Sequence, residues 1–279
     1  MSRLRILLTS LLLLAPVSLP QAQAPYRILL TNDDGINAPG LQAMADALAA
    51  IGQVTIVAPL ENQSAKGTAL TTTEPIYREN LTLPNGMAAV GLTATPATAV
   101  RLALSQIVIP HPDLVVSGIN IGTNNGLAAY ISGTVGAARE AASRGIPGIA
   151  SSLVFRAAKD IASYRAAAEA TVAVASVVKA QGLPKGIFLS VAVPAGTMQT
   201  FKGIRMTTQG SATGGDETFE LGARPGTKRP YYWELFIEGG KDVEGTDTWA
   251  VQNGYVAVTP LRVGEFDQQA FDALKAIIK

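Results

Sequence analysis

Cysteine is absent from these 279 residues, and histidine occurs once, at position 111 between two prolines. Without cysteine there are no disulfides, thiol nucleophiles or thiolate metal sites. A single histidine excludes multi-histidine zinc centres and argues against a histidine-based triad. His111, flanked by Pro110 and Pro112, reads as a loop residue just ahead of a strand. Neither sign of charge dominates, with 22 basic and 21 acidic side chains. The chain therefore has no general attraction to nucleic acid polymers or anionic membranes. What chemistry remains must use Asp, Glu, Ser, Thr, Asn, Lys or a metal ion.

The N-terminus has the pattern of an export signal. Arg3 and Arg5 precede the apolar run Ile6–Leu14, and small residues at Ala22 and Ala24 offer cleavage points. The run is shorter than the roughly 20 residues a membrane span needs. Residues 1–24 are thus expected to direct the protein out of the cytoplasm, periplasmic or secreted, with no stable membrane association after cleavage; an uncleaved anchor is the alternative. Loss of Arg3 and Arg5 leaves 20 basic against 21 acidic residues.

From residue 25 to about 196, strand-like and helical runs alternate. Arg27–Thr31 reads as a first strand, Gly40–Ala50 as a helix, and Gln53–Ala58 as a second strand. Residues 59–73 form a polar loop, 74–92 short strands, and Pro96–Gln106 a helix. Leu114–Ser117 is a third buried strand, ending at Gly118-Ile119-Asn120. Helices over Val135–Ser143 and Tyr164–Ala180 alternate with strands at Gly148–Ser152 and Gly186–Val193. This alternation predicts an α/β fold, a mainly parallel Rossmann-like sheet with helices on both faces. From Thr197 the texture changes: strand-like Ile204–Thr208, Tyr231–Ile237 and Tyr255–Val258 predict a β-rich extension over 197–267. Residues 268–279 read as a closing helix.

The chain is organised around Arg27-Ile28-Leu29-Leu30-Thr31-Asn32-Asp33-Asp34-Gly35. A buried strand runs into two adjacent carboxylates, at the strand end where open α/β sheets bind ligands. Adjacent carboxylates repel unless a cation lies between them, so Asp33 and Asp34 are candidate metal ligands; a solvated Asp-Asp-Gly turn is the alternative. Ser64 follows the second strand, and Asn120 and Asn124 follow the third. Each alone is an ordinary loop or turn residue, but together they bring oxygen donors to one edge of the sheet. Such donors suit Mg²⁺ or Mn²⁺, or calcium. Ser132-Gly133-Thr134 opens a helix, either as an ordinary cap or as an amide-rich anion site. A metal beside an anion site fits phosphoryl transfer.

Taken with Ala38-Pro39-Gly40-Leu41, Val57-Ala58-Pro59, Ser117-Gly118-Ile119-Asn120, Ser132-Gly133-Thr134-Val135 and Gly254-Tyr255-Val256, the acidic stretch resembles the SurE (survival protein) nucleotidase family, over nearly all of the mature chain. The resemblance implies metal-dependent hydrolysis of nucleoside 5′- and 3′-monophosphates. It also implies a C-terminal β extension exchanged between subunits of a homodimer or homotetramer. Asp33, Asp34, Ser64 and Asn120 match the family's metal ligands, Asn124 a second active-site asparagine, and Ser132, Gly133 and Thr134 its phosphate-side segment. The chain departs from the family pattern at Ile131, where tyrosine is usual and Tyr130 stands one place earlier. It departs again at Leu60, and at Ala94-Thr95-Pro96-Ala97-Thr98-Ala99, which lacks an acid and a thiol. Rival readings are a broad-specificity exported acid phosphatase or exopolyphosphatase on the same scaffold, and a non-catalytic nucleotide-binding protein.

Overall fold

The computed structural model describes residues 24–154, 160–211, 217–223, 229–236, 242–275 and 277–278. Its centre is β1 (Arg27–Thr31), whose side chains are buried on both faces of a sheet. Ile28 and Leu30 join one hydrophobic cluster and Leu29 another. An uninterrupted apolar run is what a strand covered by helices on both sides requires.

On one face lie α1 (Pro39–Leu48) and α4 (Ile161–Gln181); on the other lie α2 (Pro96–Leu102) and α3 (Gly133–Ser143). Leu41, Met44, Ala45 and Leu48 give α1 its buried stripe, and Pro39 occupies its first turn, where no amide partner is needed. Helix α4 is long and apolar enough to cross a membrane, but Tyr164, Ala167, Ala168, Thr171, Ala175 and Val178 are buried in the protein.

The remaining core strands are β2 (Gln53–Pro59), β3 (Arg78–Thr82), β4 (Ala88–Leu92), β5 (Leu114–Ile121), β6 (Gly148–Leu153) and β7 (Ile187–Val193). Among the described residues, together with β1, β8 (Ile204–Met206) and β11 (Val256–Arg262) they form a nine-stranded sheet in the order β3-β4-β2-β1-β5-β6-β7-β11-β8. The run from β4 to β7 is parallel throughout. Strand order therefore proceeds one way from β1 to β2 and β4, and the other way from β5 to β6 and β7. The crevice between the carboxyl ends of β1 and β5 is the topological switch point, the preferred ligand position in such sheets.

Three sequence expectations are revised. Pro96–Gln106 is α-helical only to Leu102 and continues as a π-helical turn over Ala103–Ile107. Gly118-Ile119-Asn120 does not leave the sheet: β5 runs to Ile121, pairing Asn120 with Ser152 after an irregularity between Ser117 and Asn120. Gly118 sits at φ +133°, and a Cβ there would collide with the Ser151 carbonyl oxygen, so only glycine fits. Finally, the residues expected to form a β-rich extension divide. β11 pairs antiparallel with β7 and β8 pairs with β11, so both complete the main sheet, because Val256, Ala257 and Val258 are all buried. Among the described residues, only β9 (Glu217–Ala223) and β10 (Pro230–Phe236) stand apart, as an antiparallel ribbon. A short helix, α5 (Asp247–Gln252), precedes β11, and α6 (Gln268–Lys275) closes the described chain. Ile237, Ala276 and Lys279, included in the expected strand and closing helix, lie outside the described residues.

Candidate active site at the β1–β5 switch point

Asp33 and Asp34 follow β1 directly. Asn32 shapes the turn: its side-chain amide donates to the Gly35 carbonyl at 2.7 Å, and Gly35 takes φ +99°. The Ile36 amide then donates to the Pro59 carbonyl at 2.8 Å, locking the turn to the end of β2.

Asp33 is almost fully buried, and α3 holds its carboxylate. The Thr134 hydroxyl donates to Oδ1 at 2.5 Å and the Thr134 amide to Oδ2 at 3.1 Å. Burial raises the Asp33 pKa above its ordinary 3.8, while bonds from Thr134 and Gly133 oppose that rise. At the helix start, the Thr134 amide offered to a phosphate by the sequence reading is thus already occupied by Asp33. Gly133 permits the approach, since a Cβ there would lie 2.9 Å from the Asp33 Cβ and 3.0 Å from its Oδ2. Ser132 is a helix cap, its hydroxyl accepting the Val135 amide at 3.1 Å.

Asp34 crosses the switch point. Its Oδ2 accepts the Ile121 amide of β5 at 3.0 Å. Burial, then the charge of Asp33, pushes its pKa up to about 6, while the Ile121 bond opposes. Asp34 in turn raises the Tyr164 phenol, a smaller effect than that of the ring's own burial. The Tyr164 hydroxyl is buried with no hydrogen-bond partner.

Asn120 lies at the end of β5, 8% exposed, its side-chain amide donating to the Gly122 carbonyl at 2.6 Å. Its side-chain oxygen is left to accept or to ligate. Asn124 lies on the following loop; its side-chain nitrogen is buried without a partner, and its backbone amide donates to the Ser152 hydroxyl at 3.4 Å. Ser64 is exposed on the loop after β2, its amide accepted by the Asn62 side chain at 3.0 Å. That loop is tied to the acids because the Gln63 amide donates to the Asp33 carbonyl at 2.7 Å. It reaches the α3 side through Gly67, whose amide donates to the Ile131 carbonyl at 2.8 Å.

One hydrogen bond therefore separates Asp33 from Thr134 and from the Ser64 loop, and one separates Asp34 from the Asn120 strand end. The donor set suits a hard cation: carboxylate, amide and hydroxyl oxygens, with no thiolate or imidazole. Both carboxylates are pushed up by burial, and Asp34 also by the charge of Asp33, so the pair calls for a counter-charge. No group of three or more histidine, aspartate or glutamate side chains gathers among the described residues, so neutral oxygens must complete any coordination shell.

Two side chains escaped the sequence reading. Tyr164 looked like one apolar residue on an Ala/Val-rich helix. Asp247 is 4% exposed, and its Oδ2 accepts the amide of Gly126, on the loop that carries Asn124, at 2.9 Å. The available signal was an acid following the capping residue Thr246 just ahead of buried Ala250 and Val251.

The sequence model described as Survival protein SurE matches residues 28–216. The chain is 42% identical over 251 residues to the 5′-nucleotidase SurE of Syntrophotalea carbinolica, spanning 88% of this chain and 95% of that one. It is 39% identical over 255 residues to 5′-nucleotidase SurE 1 of Thermus thermophilus, spanning 91% and 98%. The crystal structure of the SurE protein from Aquifex aeolicus superposes with a TM-score of 0.76 at 36% identity, covering 91% of this chain and all of that one. These comparisons correct one expectation. Relatives of this kind are generally cytoplasmic, against the exported location read from residues 1–24; residues 1–23 lie outside those described. On the family match and on identity over nearly the full length of its relatives, the chain belongs to the SurE family.

Proposed function

We propose that this protein is a metal-dependent phosphomonoesterase that hydrolyses nucleoside 5′- and 3′-monophosphates to nucleoside and phosphate. Its relatives are named as 5′-nucleotidases, and the family's nucleotidases are metal-dependent. The observation that carries the reading is the buried Asp33–Asp34 pair at the switch point, bonded to α3 on one side and to β5 on the other.

Asp33, Asp34, Ser64 and Asn120 would hold the ion, which we assign as Mg²⁺ or Mn²⁺ from the all-oxygen donor set. When bound, the ion supplies charge neutralisation and lowers the pKa of a water molecule. The protein's own groups do the rest. Thr134 fixes the Asp33 carboxylate through two donors, so it enters the reaction oriented. Asp34 accepts one protein hydrogen bond, from Ile121, and retains lone pairs to take the proton of the attacking water. The water oxygen forms the new P–O bond as the ester P–O bond breaks, and the leaving nucleoside oxygen takes up the proton that Asp34 received from the water. Asn124, with its buried unpaired side-chain nitrogen, donates to a phosphate oxygen. Ser132, Gly133 and Thr134 wall the phosphate side.

The domain assignment is a catalytic core over 25–196 and an assembly element within 197–267, forming a homodimer or homotetramer. Its support is the β9–β10 ribbon, on which Phe219, Leu221, Tyr232 and Trp233 are each at least 60% exposed. Light scattering on eluting protein tests the assembly. Phosphate release from AMP tests the activity: we expect turnover with Mn²⁺, none with EDTA, and loss of nearly all turnover in Asp33→Asn at little cost in folding. Wild-type turnover by Asp33→Asn in Mn²⁺ would overturn the assignment.

A further inference from the structure

The Asn124 loop is not held by the sheet alone. Gly126 follows Asn124 by two residues, and both of its backbone groups are bound by residues from the C-terminal part of the chain. Its amide donates to Asp247 Oδ2 at 2.9 Å, and its carbonyl accepts the Gln209 side-chain amide at 2.8 Å. The other oxygen of Asp247 accepts the Gly210 amide at 3.0 Å and the Thr248 amide at 2.8 Å. The Asp247 backbone amide donates to the Thr208 carbonyl at 3.0 Å. One buried carboxylate thus joins three segments that are distant in sequence: the loop after β5, the stretch 208–210 beyond β8, and the start of α5. Two of these segments flank the β9–β10 ribbon in sequence and are joined to each other: Thr208 bridges to Thr246, and the Ser211 amide donates to Asp242 at 3.0 Å.

We propose that Asp247 is a positioning residue for the reaction: through Gly126, and together with Gln209, it fixes the loop that presents Asn124 to the phosphate. This rests on the role given to Asn124 under the proposed function. Gly126 itself has φ +52°, so its local conformation is not self-enforcing for most residues and gains from external restraint. A buried carboxylate with several amide donors is a strong and directional restraint. Displacing a substrate-binding group by about 1 Å can cost on the order of 10²-fold in rate. Asp247 contacts neither substrate nor ion in this arrangement; it acts through the backbone of the loop.

The test uses the full chain with Mn²⁺ and AMP. In Asp247→Asn the amide oxygen still accepts, but the amide nitrogen faces a backbone N–H and one arm of the clamp is lost. Gln209→Met removes the other arm on Gly126 without touching the carboxylate, and it remains informative if Asp247→Asn folds poorly. Val178→Ala, on buried α4, serves as a destabilised control. We expect both clamp variants to lose about 10-fold or more in kcat per folded molecule. We also expect faster hydrogen exchange confined to residues 122–128, whereas Val178→Ala keeps its turnover. The exchange readout does not depend on activity. Wild-type kcat in both clamp variants, or loss that merely follows the unfolded fraction with exchange raised throughout the chain, would overturn the inference. Failure of wild-type protein to release phosphate would instead overturn the proposed function.

Discussion

Replacing Asp34 by asparagine should make the metal-free protein more stable at neutral pH while abolishing its chemistry. The folded pKa of Asp34 is about 6 against an ordinary 3.8, first because of burial and then because of Asp33. Between those values the folded protein holds a proton that the unfolded chain has released. Stability therefore falls as pH rises through this window, and the loss is complete above about 6. The gap corresponds to about 3 kcal/mol, a sizeable part of the roughly 5–15 kcal/mol that holds a domain folded. Asp33, also raised by burial, acts in the same direction. The substituted asparagine carries no charge at any pH, and its side-chain oxygen can still accept the Ile121 amide. Urea unfolding in EDTA at pH 4.5 and 7.5 samples the part of this window above pH 4.5, and should show wild type losing about 2 kcal/mol relative to Asp34→Asn between the two conditions. Adding Mn²⁺ at pH 7.5 should then stabilise wild type and leave the variant unmoved. Parallel pH profiles for the two proteins would refute the view that the acids are forced together at the expense of the metal-free fold.

Two neighbouring changes probe how Asp33 is held. Thr134→Val deletes the hydroxyl that donates to Asp33 Oδ1, leaving a buried carboxylate one donor short; thermal unfolding should report a loss of about 1–3 kcal/mol, and phosphate release should fall on the order of 10-fold or more. Gly133→Ala places a Cβ 2.9 Å from the Asp33 Cβ and 3.1 Å from Pro96 Cγ. It should cost about 1–3 kcal/mol by overpacking and weaken Mn²⁺ dependence measurably, seen as a higher metal concentration for half-maximal turnover.

What the sequence disclosed and what it hid divide along contact range. The strand Arg27–Thr31, the acids after it and the amphipathic helix at Leu41, Met44 and Leu48 are written in local periodicity and turn chemistry, and all stand where expected. The burial of β1 on both faces follows from its uninterrupted apolar run. The Thr134–Asp33 and Gly126–Asp247 bonds join residues 101 and 121 positions apart, and no local pattern specifies them. Thr134 looked free to meet a phosphate only because its partner was invisible in sequence. The C-terminal strands misled for the same reason. Val256–Val258 carries a strand signal, but only the pairing of Ala257 with Ala192 reveals that it completes the main sheet rather than an appendage. The extension of β5 through Gly118 to Ile121 was hidden by a glycine that reads as a loop signal and serves here as close packing against Ser151.

The central claim is that Asp33 and Asp34 together bind one divalent ion. Calorimetric titration of Mn²⁺ into the metal-free protein tests it most directly. The account predicts one site in wild type that is lost in both Asp33→Asn and Asp34→Asn, with each variant still folded by circular dichroism. An undiminished single site in either variant would contradict it.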